Sequence, residues 1–287
     1  MKKIKNTYKT TVGGVETTYY KKGKGKKLII LPGWRTDIDR IQDVLSYFAE
    51  NFETYYLNLP GYGDPKYNKP YSYKDIVAFV NEWITSLNLD KYILMGMSMS
   101  GPLAYYISKL PTQNSKIEKV ILFAPWYKKE CINIENKEML FGKVLANFGH
   151  LPGLRSLGQN AFNNEGFMMK FVRHFNKEIP WNEELRRYAK NFENFNFRIS
   201  CATMKSLMRE NLDNESESVN HEAIFIMSKN DTQLDFNVTY EGFKRLFPNM
   251  KLSVLKHSFH APRVWVSREL VEHYFGNTLK DLFADIS

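Results

Sequence analysis

Short apolar runs alternate with amphipathic segments along most of the chain, and this alternation constrains the fold more than any other feature. Runs that suit buried strands occur at 27–31, 52–59, 91–96, 117–124, 223–228 and 251–255. Helical periodicity occurs at 39–51, 71–87, 98–110 and 267–282. Strands that alternate with helices predict an α/β fold, in which a mostly parallel central sheet is flanked by helices on both faces. Before the first run, the residues up to about position 20 predict a hairpin that turns at Gly13 and Gly14.

Residues 127–215 interrupt the alternation. They contain no strand-like runs, but they are rich in aromatic side chains: Phe141, Phe148, Phe162, Phe167, Phe171, Phe175, Trp181, Tyr188, Phe192, Phe195 and Phe197. This pattern predicts a helical lid inserted into a core made of residues 1–126 and 216–287. Most of these aromatic side chains are expected to pack inside the lid or against the sheet, and a few to line a pocket beneath it.

The net charge of +9 is concentrated at one end of the chain. Residues 1–27 hold nine lysines and one acid, so 31 basic and 30 acidic residues remain elsewhere. A nucleic-acid groove would need basic residues spread along a face, so no nucleic-acid partner is expected. The lysines suit solvated edge strands and a turn, and weak attraction to anionic lipid is the alternative.

Other bulk features exclude some further classes of protein. The sequence has no run of 18 apolar residues and no signal-peptide pattern, so no stable membrane insertion is expected. Cys131 and Cys201 are far apart and match no metal spacing, which favours two buried thiols in a reducing cytoplasm. The sequence leaves the oligomeric state open.

The segment from Gly96 to Gly101 links an apolar strand directly to a helix. It reads Gly-Met-Ser-Met-Ser-Gly, with Ser98 at its centre. Small residues on both sides of this serine allow a sharp, strained turn that raises its hydroxyl above the sheet edge. The following helix N-terminus favours negative charge developing there. The alternative is a tight turn with a purely structural role.

This turn resembles the nucleophile elbow of the α/β-hydrolase superfamily, whose pattern is Gly-x-Ser-x-Gly. Here Ser100 takes the last small position of the pattern. The loop Asn58-Leu-Pro-Gly-Tyr-Gly-Asp64 is also similar to the family's glycine-rich loop. The resemblance implies an α/β-hydrolase fold and a serine hydrolase with Ser98 as nucleophile. Family members with dehalogenase or epoxide-hydrolase chemistry have an aspartate where Ser98 stands, so those reactions are not expected.

A serine nucleophile needs a base that accepts its proton. Among the six histidines, only His257 and His260 lie on the predicted loop that follows the last strand-like run. The segment Ser258-Phe-His-Ala-Pro262 resembles the family's late histidine loop, which favours His260 over His257. The remaining candidates are His150, His174, His221 and His273, which are expected to be surface or lid residues.

The base in turn needs a carboxylate that fixes its tautomer. The family's chain order is serine, acid, histidine. Asp231 follows the strand-like run at 223–228 and matches the family's acid position. The nearby Asp235 is the competitor, and its structural interpretation is a helix N-cap.

The resemblance also implies an oxyanion hole made of two backbone N–H groups. One belongs to Met99, directly after the serine, and the other to Trp34, in the loop that begins with Pro32 and Gly33. In the family a histidine is frequent at the position of Pro32. Each donor contributes about 3 kcal/mol to transition-state stabilisation.

The expected substrate pocket includes Arg35, Met97, Trp126 and Tyr127. These residues and the aromatic segment predict a small, largely apolar substrate and a carboxylesterase or lipase-like reaction through an acyl-enzyme. Arg35 either pairs with a substrate anion or is a solvated loop residue or salt-bridge partner. The residues of the site supply the nucleophile, acid and base, so no metal or organic cofactor is expected.

Two alternatives remain from the sequence. One is amide, thioester or carbon–carbon bond hydrolysis on the same scaffold, because a fold does not fix a substrate. The other is a non-catalytic ligand-binding module.

Overall fold

Eight strands form a single sheet in the computed structural model, which describes residues 6–133, 142–144, 147–148, 151–175, 180–257, 259–262 and 264–286. The strands are β1 Thr7–Val12, β2 Val15–Lys22, β3 Lys27–Leu31, β4 Glu53–Leu57, β5 Tyr92–Met97, β6 Ile117–Phe123, β7 Ala223–Ser228 and β8 Met250–Leu255. Their order in the sheet is β1-β2-β4-β3-β5-β6-β7-β8. The two pairings that involve β2 are antiparallel and all others are parallel, which confirms the predicted sheet.

Ten α-helices are described. They are α1 Ile38–Phe48, α2 Tyr73–Ser86, α3 Gly101–Lys109, α4 Pro111–Asn114, α5 Pro152–Phe162, α6 Glu165–Phe175, α7 Glu183–Lys190, α8 Phe197–Leu207, α9 Phe236–Leu246 and α10 Arg268–Ile286. Short 3₁₀ turns span Ser98–Ser100, Lys129–Cys131, Asn191–Asn194 and Leu212–Asn214. No helix in the described ranges is long and apolar enough to cross a membrane.

Helices cover both faces of the sheet. Consecutive strand residues point to opposite faces, so each central strand contributes side chains to two cores. In β5, Leu94 packs into a core shared with α2, α3 and α9. Its neighbours Ile93 and Met95 pack into a second core shared with α1 and α10. Both cores are apolar, which explains why the central strands have continuous apolar sequences.

The predicted N-terminal hairpin is confirmed. Strands β1 and β2 pair from Thr7 with Tyr20 to Val12 with Val15. Gly13 and Gly14 form the turn with φ of 54° and 73°, a conformation that glycine adopts without strain. β1 is the edge of the sheet, and its one lysine, Lys9, is exposed and pairs with Glu16 of β2 at 3.0 Å.

Helices α5 to α8 lie between β6 and β7 and form a third apolar core. Within it, the Phe162 ring meets the rings of Phe192 and Phe197 edge to face at 5.4 and 5.2 Å. Phe141, His150 and the side chain of Phe175 lie outside the described residues. The 127–215 boundary and the action of this segment as a lid stay predictions. Cys131 and Cys201 are both free and buried, as the sequence suggested.

The N-terminus of α1 contains a buried carboxyl group. Asp37 is 1% exposed, and its Oδ1 accepts a hydrogen bond from the Arg40 backbone N–H at 2.9 Å. Burial outweighs that hydrogen bond and raises the pKa of Asp37 to about 7. The folded protein therefore holds this proton more tightly than the unfolded chain. This contribution to stability is complete below about pH 4 and is lost as the pH rises to about 7.

We predict that Asp37→Asn removes this pH dependence, because asparagine still caps the helix but has no proton to lose. The stability of the variant relative to the parent should increase by on the order of 2 kcal/mol between about pH 5 and pH 8. Urea unfolding at the two pH values measures this, with Asp43→Asn on the same helix as control. An equal pH dependence in parent and Asp37→Asn would contradict the assignment.

Candidate active site

Ser98 occupies a strained turn between β5 and α3. Its φ is 48°, a left-handed backbone conformation that residues other than glycine rarely adopt. The Trp126 backbone N–H donates to the Ser98 carbonyl at 2.7 Å and helps to hold the turn. A Cβ on Gly96 would lie 2.5 Å from the Ser100 carbonyl oxygen, so only glycine fits there. The close approach of strand and helix thus explains the Gly-x-Ser spacing.

Ser100 ties this turn to the loop after β3. Its side chain is fully buried, and its hydroxyl donates to the Pro32 carbonyl at 2.5 Å. At Gly101 a Cβ would lie 2.6 Å from the Pro125 Cβ. The glycine that packs against the loop after β6 is therefore displaced by one residue from the family pattern, and Ser100 adds a hydrogen bond instead.

His260 joins Ser98 to Asp231. Ser98 Oγ and His260 Nε2 lie 2.8 Å apart, and His260 Nδ1 and Asp231 Oδ2 also lie 2.8 Å apart. The His260 and Asp231 side chains are only 7% and 1% exposed. A carboxylate beside Nδ1 favours the tautomer with its proton on Nδ1, which leaves Nε2 to accept the Ser98 hydroxyl proton. The three residues that the sequence singled out thus form one hydrogen-bonded chain.

Asp231 is held in the turn after β7 by backbone groups. Its Oδ1 accepts hydrogen bonds from the N–H groups of Gln233 at 2.8 Å and Leu234 at 3.0 Å. Burial opposes ionisation, but His260 and these two N–H groups outweigh it and keep the pKa of Asp231 below its ordinary value. Asp231 is therefore an anion at neutral pH and can stabilise positive charge on His260.

Asp235 has a different role from Asp231. Its Oδ1 accepts a hydrogen bond from the Val238 backbone N–H at 2.8 Å and caps α9. This confirms the structural interpretation of Asp235 as a helix N-cap.

His257 is placed among aromatic rings rather than beside Ser98. Its ring stacks on Phe259 at 4.0 Å and meets Phe275 edge to face at 5.2 Å. Burial lowers the pKa of His257, which keeps it neutral. His257 therefore packs the loop that carries His260.

The loop after β3 lies against the Ser98 turn. A Cβ on Gly33 would be 3.8 Å from the Ser98 Cβ, so the next residue, Trp34, is adjacent to the serine. The Trp34 indole N–H donates to the Ser200 carbonyl at 3.0 Å, which links this loop to α8. The oxyanion roles of the Trp34 and Met99 N–H groups stay predictions.

A large apolar cavity of about 570 Å³ opens above Ser98 and His260. Its walls come mainly from the segment between β6 and β7, and they include Leu154, Phe162, Phe167, Phe171, Met204 and Leu207. A second cavity of about 200 Å³ lies on the α1 and α10 side of the same two residues. The volume of the large cavity is typical of small-molecule sites.

The predicted pocket residues divide among several places. Arg35 and Trp126 line the large cavity, whereas Met97 lines only the smaller one. Tyr127 lines neither, which corrects the expectation. Its ring packs edge to face on Phe243 at 5.4 Å, and its hydroxyl donates to Asp213 at 2.7 Å. Tyr127 is therefore a buried residue of the core, packed against α9.

Gln233 and Leu234 are among the lining residues that the sequence did not indicate. Gln233 lines both cavities and Leu234 lines the larger one. Both follow Asp231 closely in the sequence, and this nearness to a predicted site residue could have indicated them.

Arg35 contributes a cation to the cavity wall. Its guanidinium lies 3.9 Å from the Trp34 ring centroid and 4.9 Å from that of Phe192. Aromatic faces attract cations, so these rings fix the position of the guanidinium. The side chain is half-buried, unlike a solvated loop residue.

The fold and the Ser98 turn define the class of protein as an α/β hydrolase. A family model described as alpha/beta hydrolase fold matches residues 26–264, and the chain belongs to this family. The sequence is 26% identical over 109 residues to the pimeloyl-[acyl-carrier protein] methyl ester esterase of Pseudoalteromonas atlantica strain T6c. That match covers 37% of this chain and 41% of the relative, well under two thirds of its length.

Solved structures of several hydrolases share the fold. An epoxide hydrolase variant from Bacillus megaterium has a TM-score of 0.68 at 17% identity, with 97% of this chain and 99% of that chain covered. An esterase from Exiguobacterium antarcticum has a TM-score of 0.66 at 17% identity, with 97% of each chain covered. A meta-cleavage product hydrolase from Pseudomonas fluorescens has a TM-score of 0.67 at 15% identity, with 98% of each chain covered.

We predict that Ser100→Ala lowers the free energy of unfolding by about 1–3 kcal/mol, because the buried Pro32 carbonyl loses its hydrogen bond. Ser108→Ala is a matched control, since Ser108 is equally buried and donates to the Ala104 carbonyl at 2.7 Å. That carbonyl lies in α3, where the helix supplies its own hydrogen bond, so the loss should be smaller. Urea unfolding compares the variants, and equal losses would contradict a special role for Ser100.

Proposed function

We propose that this protein is a serine hydrolase that cleaves an ester bond of a small, largely apolar substrate. The observation that carries the proposal is the hydrogen-bonded chain from Ser98 through His260 to Asp231 at the edge of the large cavity. The hydrolase family of the chain supports the reaction class. The esterase relative supports an ester among the possible bonds.

In the first step, Ser98 Oγ attacks the substrate carbonyl carbon while His260 Nε2 takes the hydroxyl proton. A carbon–oxygen bond forms, and the carbonyl electron pair moves onto its oxygen. The Trp34 and Met99 N–H groups stabilise this oxyanion. The Asp231 carboxylate stabilises the imidazolium and holds its orientation.

Collapse of the tetrahedral intermediate re-forms the carbonyl and breaks the bond to the leaving oxygen. His260 donates its proton to that oxygen, and the alcohol leaves an acyl group on Ser98. Water then attacks the acyl-enzyme with His260 again as base, and the acid product is released with Ser98 regenerated.

The cavity favours an apolar acyl group. Its walls are built from leucine, phenylalanine and methionine side chains, so an apolar chain gains free energy by leaving water there. Polar lining side chains concentrate near Ser98, where Arg35, Gln233 and His260 lie. This arrangement places polar chemistry at one end of the substrate and apolar binding at the other.

We expect a fluorophosphonate to form one covalent adduct on the parent protein, because only an activated serine hydroxyl displaces the fluoride efficiently. Ser98→Ala should form none, whereas the control Ser46→Ala on α1 should label like the parent. Intact-mass measurement reads the result. A folded parent that reacts with neither a fluorophosphonate nor a smaller sulfonyl fluoride would refute the proposal.

Asp231→Asn should lower kcat for ester hydrolysis by about 10⁴-fold, because asparagine does not stabilise the imidazolium or enforce its tautomer. Asp235→Asn is the matched control and should retain the parent's kcat, since asparagine also caps helices. Steady-state kinetics on a methyl or p-nitrophenyl ester tests both variants. A similar loss in both, or a loss only in Asp235→Asn, would reject Asp231 as the acid.

A further inference from the structure

The smaller cavity meets the larger one at the reacting groups. The two share five lining residues: Trp34, Arg35, Ser98, Gln233 and His260. Beyond them the cavities diverge, since the smaller one lies between α1 and α10 and is lined by residues of the second core. We call this cavity of about 200 Å³ the rear chamber. A group bound at Ser98 therefore has two apolar spaces into which it can extend.

The rear chamber suits an apolar group. Its walls are Ile41, Val44 and Phe48 from α1 and Val271, Phe275 and Leu279 from α10. A dry cavity of about 150 Å³ with similar walls admits benzene, so this chamber has room for a group of about that size.

Two polar residues that line only this chamber, Arg40 and Thr36, already have hydrogen-bond partners. The Arg40 guanidinium donates to the Arg35 carbonyl at 3.2 Å and lies 4.3 Å from the Tyr188 ring centroid. The Thr36 hydroxyl donates to the Trp34 carbonyl at 3.4 Å. An apolar occupant leaves these interactions intact.

The position of His260 identifies which part of the substrate enters the chamber. Ala261, Pro262 and Val266, which follow His260 along the chain, line the rear chamber and not the large cavity. In the proposed reaction, His260 Nε2 protonates the leaving oxygen, so the group on that oxygen lies on the His260 side.

We propose that the rear chamber is the leaving-group site, and that it selects apolar alcohols up to the size of benzyl alcohol. The large cavity holds the acyl chain. This assignment rests on the proposed ester hydrolysis at Ser98.

Hexanoate esters of methanol, butanol, benzyl alcohol and naphthylmethanol test the chamber, because only the alcohol changes. For the parent, kcat/KM should be sustained up to the benzyl ester and fall at least about tenfold for the naphthylmethyl ester. A second series of methyl esters, from acetate to octanoate, varies only the acyl chain.

Leu279 and Leu207 provide matched variants, since each is 2% exposed and each lines one cavity. Leu279→Trp should lower the benzyl-to-methyl ratio of kcat/KM about tenfold. Leu279→Ala should raise the naphthylmethyl-to-methyl ratio by a similar factor, and it keeps the test available if the tryptophan variant does not fold. Leu207→Trp should alter the acyl-length series and leave the alcohol ratios close to the parent's.

The rear-chamber assignment would be overturned if the ratios of kcat/KM between esters of different alcohols stayed constant in folded Leu279 variants. It would also be overturned if these ratios changed in Leu207→Trp instead. Fluorophosphonate labelling and turnover of methyl hexanoate report separately on the proposed function. If both occur but the ratios do not move, only the chamber assignment fails. If neither occurs in the folded parent, the proposed ester hydrolysis fails and the assignment with it.

Discussion

The left-handed backbone at Ser98 is the constraint on which the rest of the site depends. Holding a serine at φ 48° costs free energy, which the surrounding contacts must supply. They include the close packing at Gly96, the hydrogen bond from the Trp126 N–H and the bond from Ser100 to Pro32. The last of these links the serine turn to the loop that leads to Trp34, so the proposed nucleophile and the proposed oxyanion donor are held by the same contact.

The parallel sheet brings the remaining groups to the same place. Ser98 follows β5, Asp231 follows β7 and His260 follows β8, and the carboxyl ends of these parallel strands lie along one edge. Residues separated by 162 positions in the chain therefore meet at 2.8 Å. Ligands bind at this edge in open α/β sheets generally, because loops there leave a crevice.

Burial gives the site its electrostatic character. Asp231 and His260 are almost inaccessible to water, so the interaction between them is screened less than at a surface. His260 and two backbone N–H groups keep the pKa of the Asp231 carboxyl below its ordinary value despite its burial. The two largely apolar cavities that meet at Ser98 extend this poorly solvated surrounding beyond the three side chains.

Local sequence determined the strands, the helices, the Ser98 turn and the order of the candidate site residues, because periodicity and turn chemistry act over a few neighbouring positions. Turn chemistry alone did not separate two aspartates four residues apart, since both suit a turn, and only the resemblance to the family favoured Asp231 over Asp235. The tertiary structure distinguished them, because Asp235 caps α9 whereas Asp231 is hydrogen-bonded to His260. The tertiary structure also decided that the Tyr127 side chain packs in the core and that Met97 lines the smaller cavity. Side-chain direction and cavity shape depend on packing between elements that are distant in sequence.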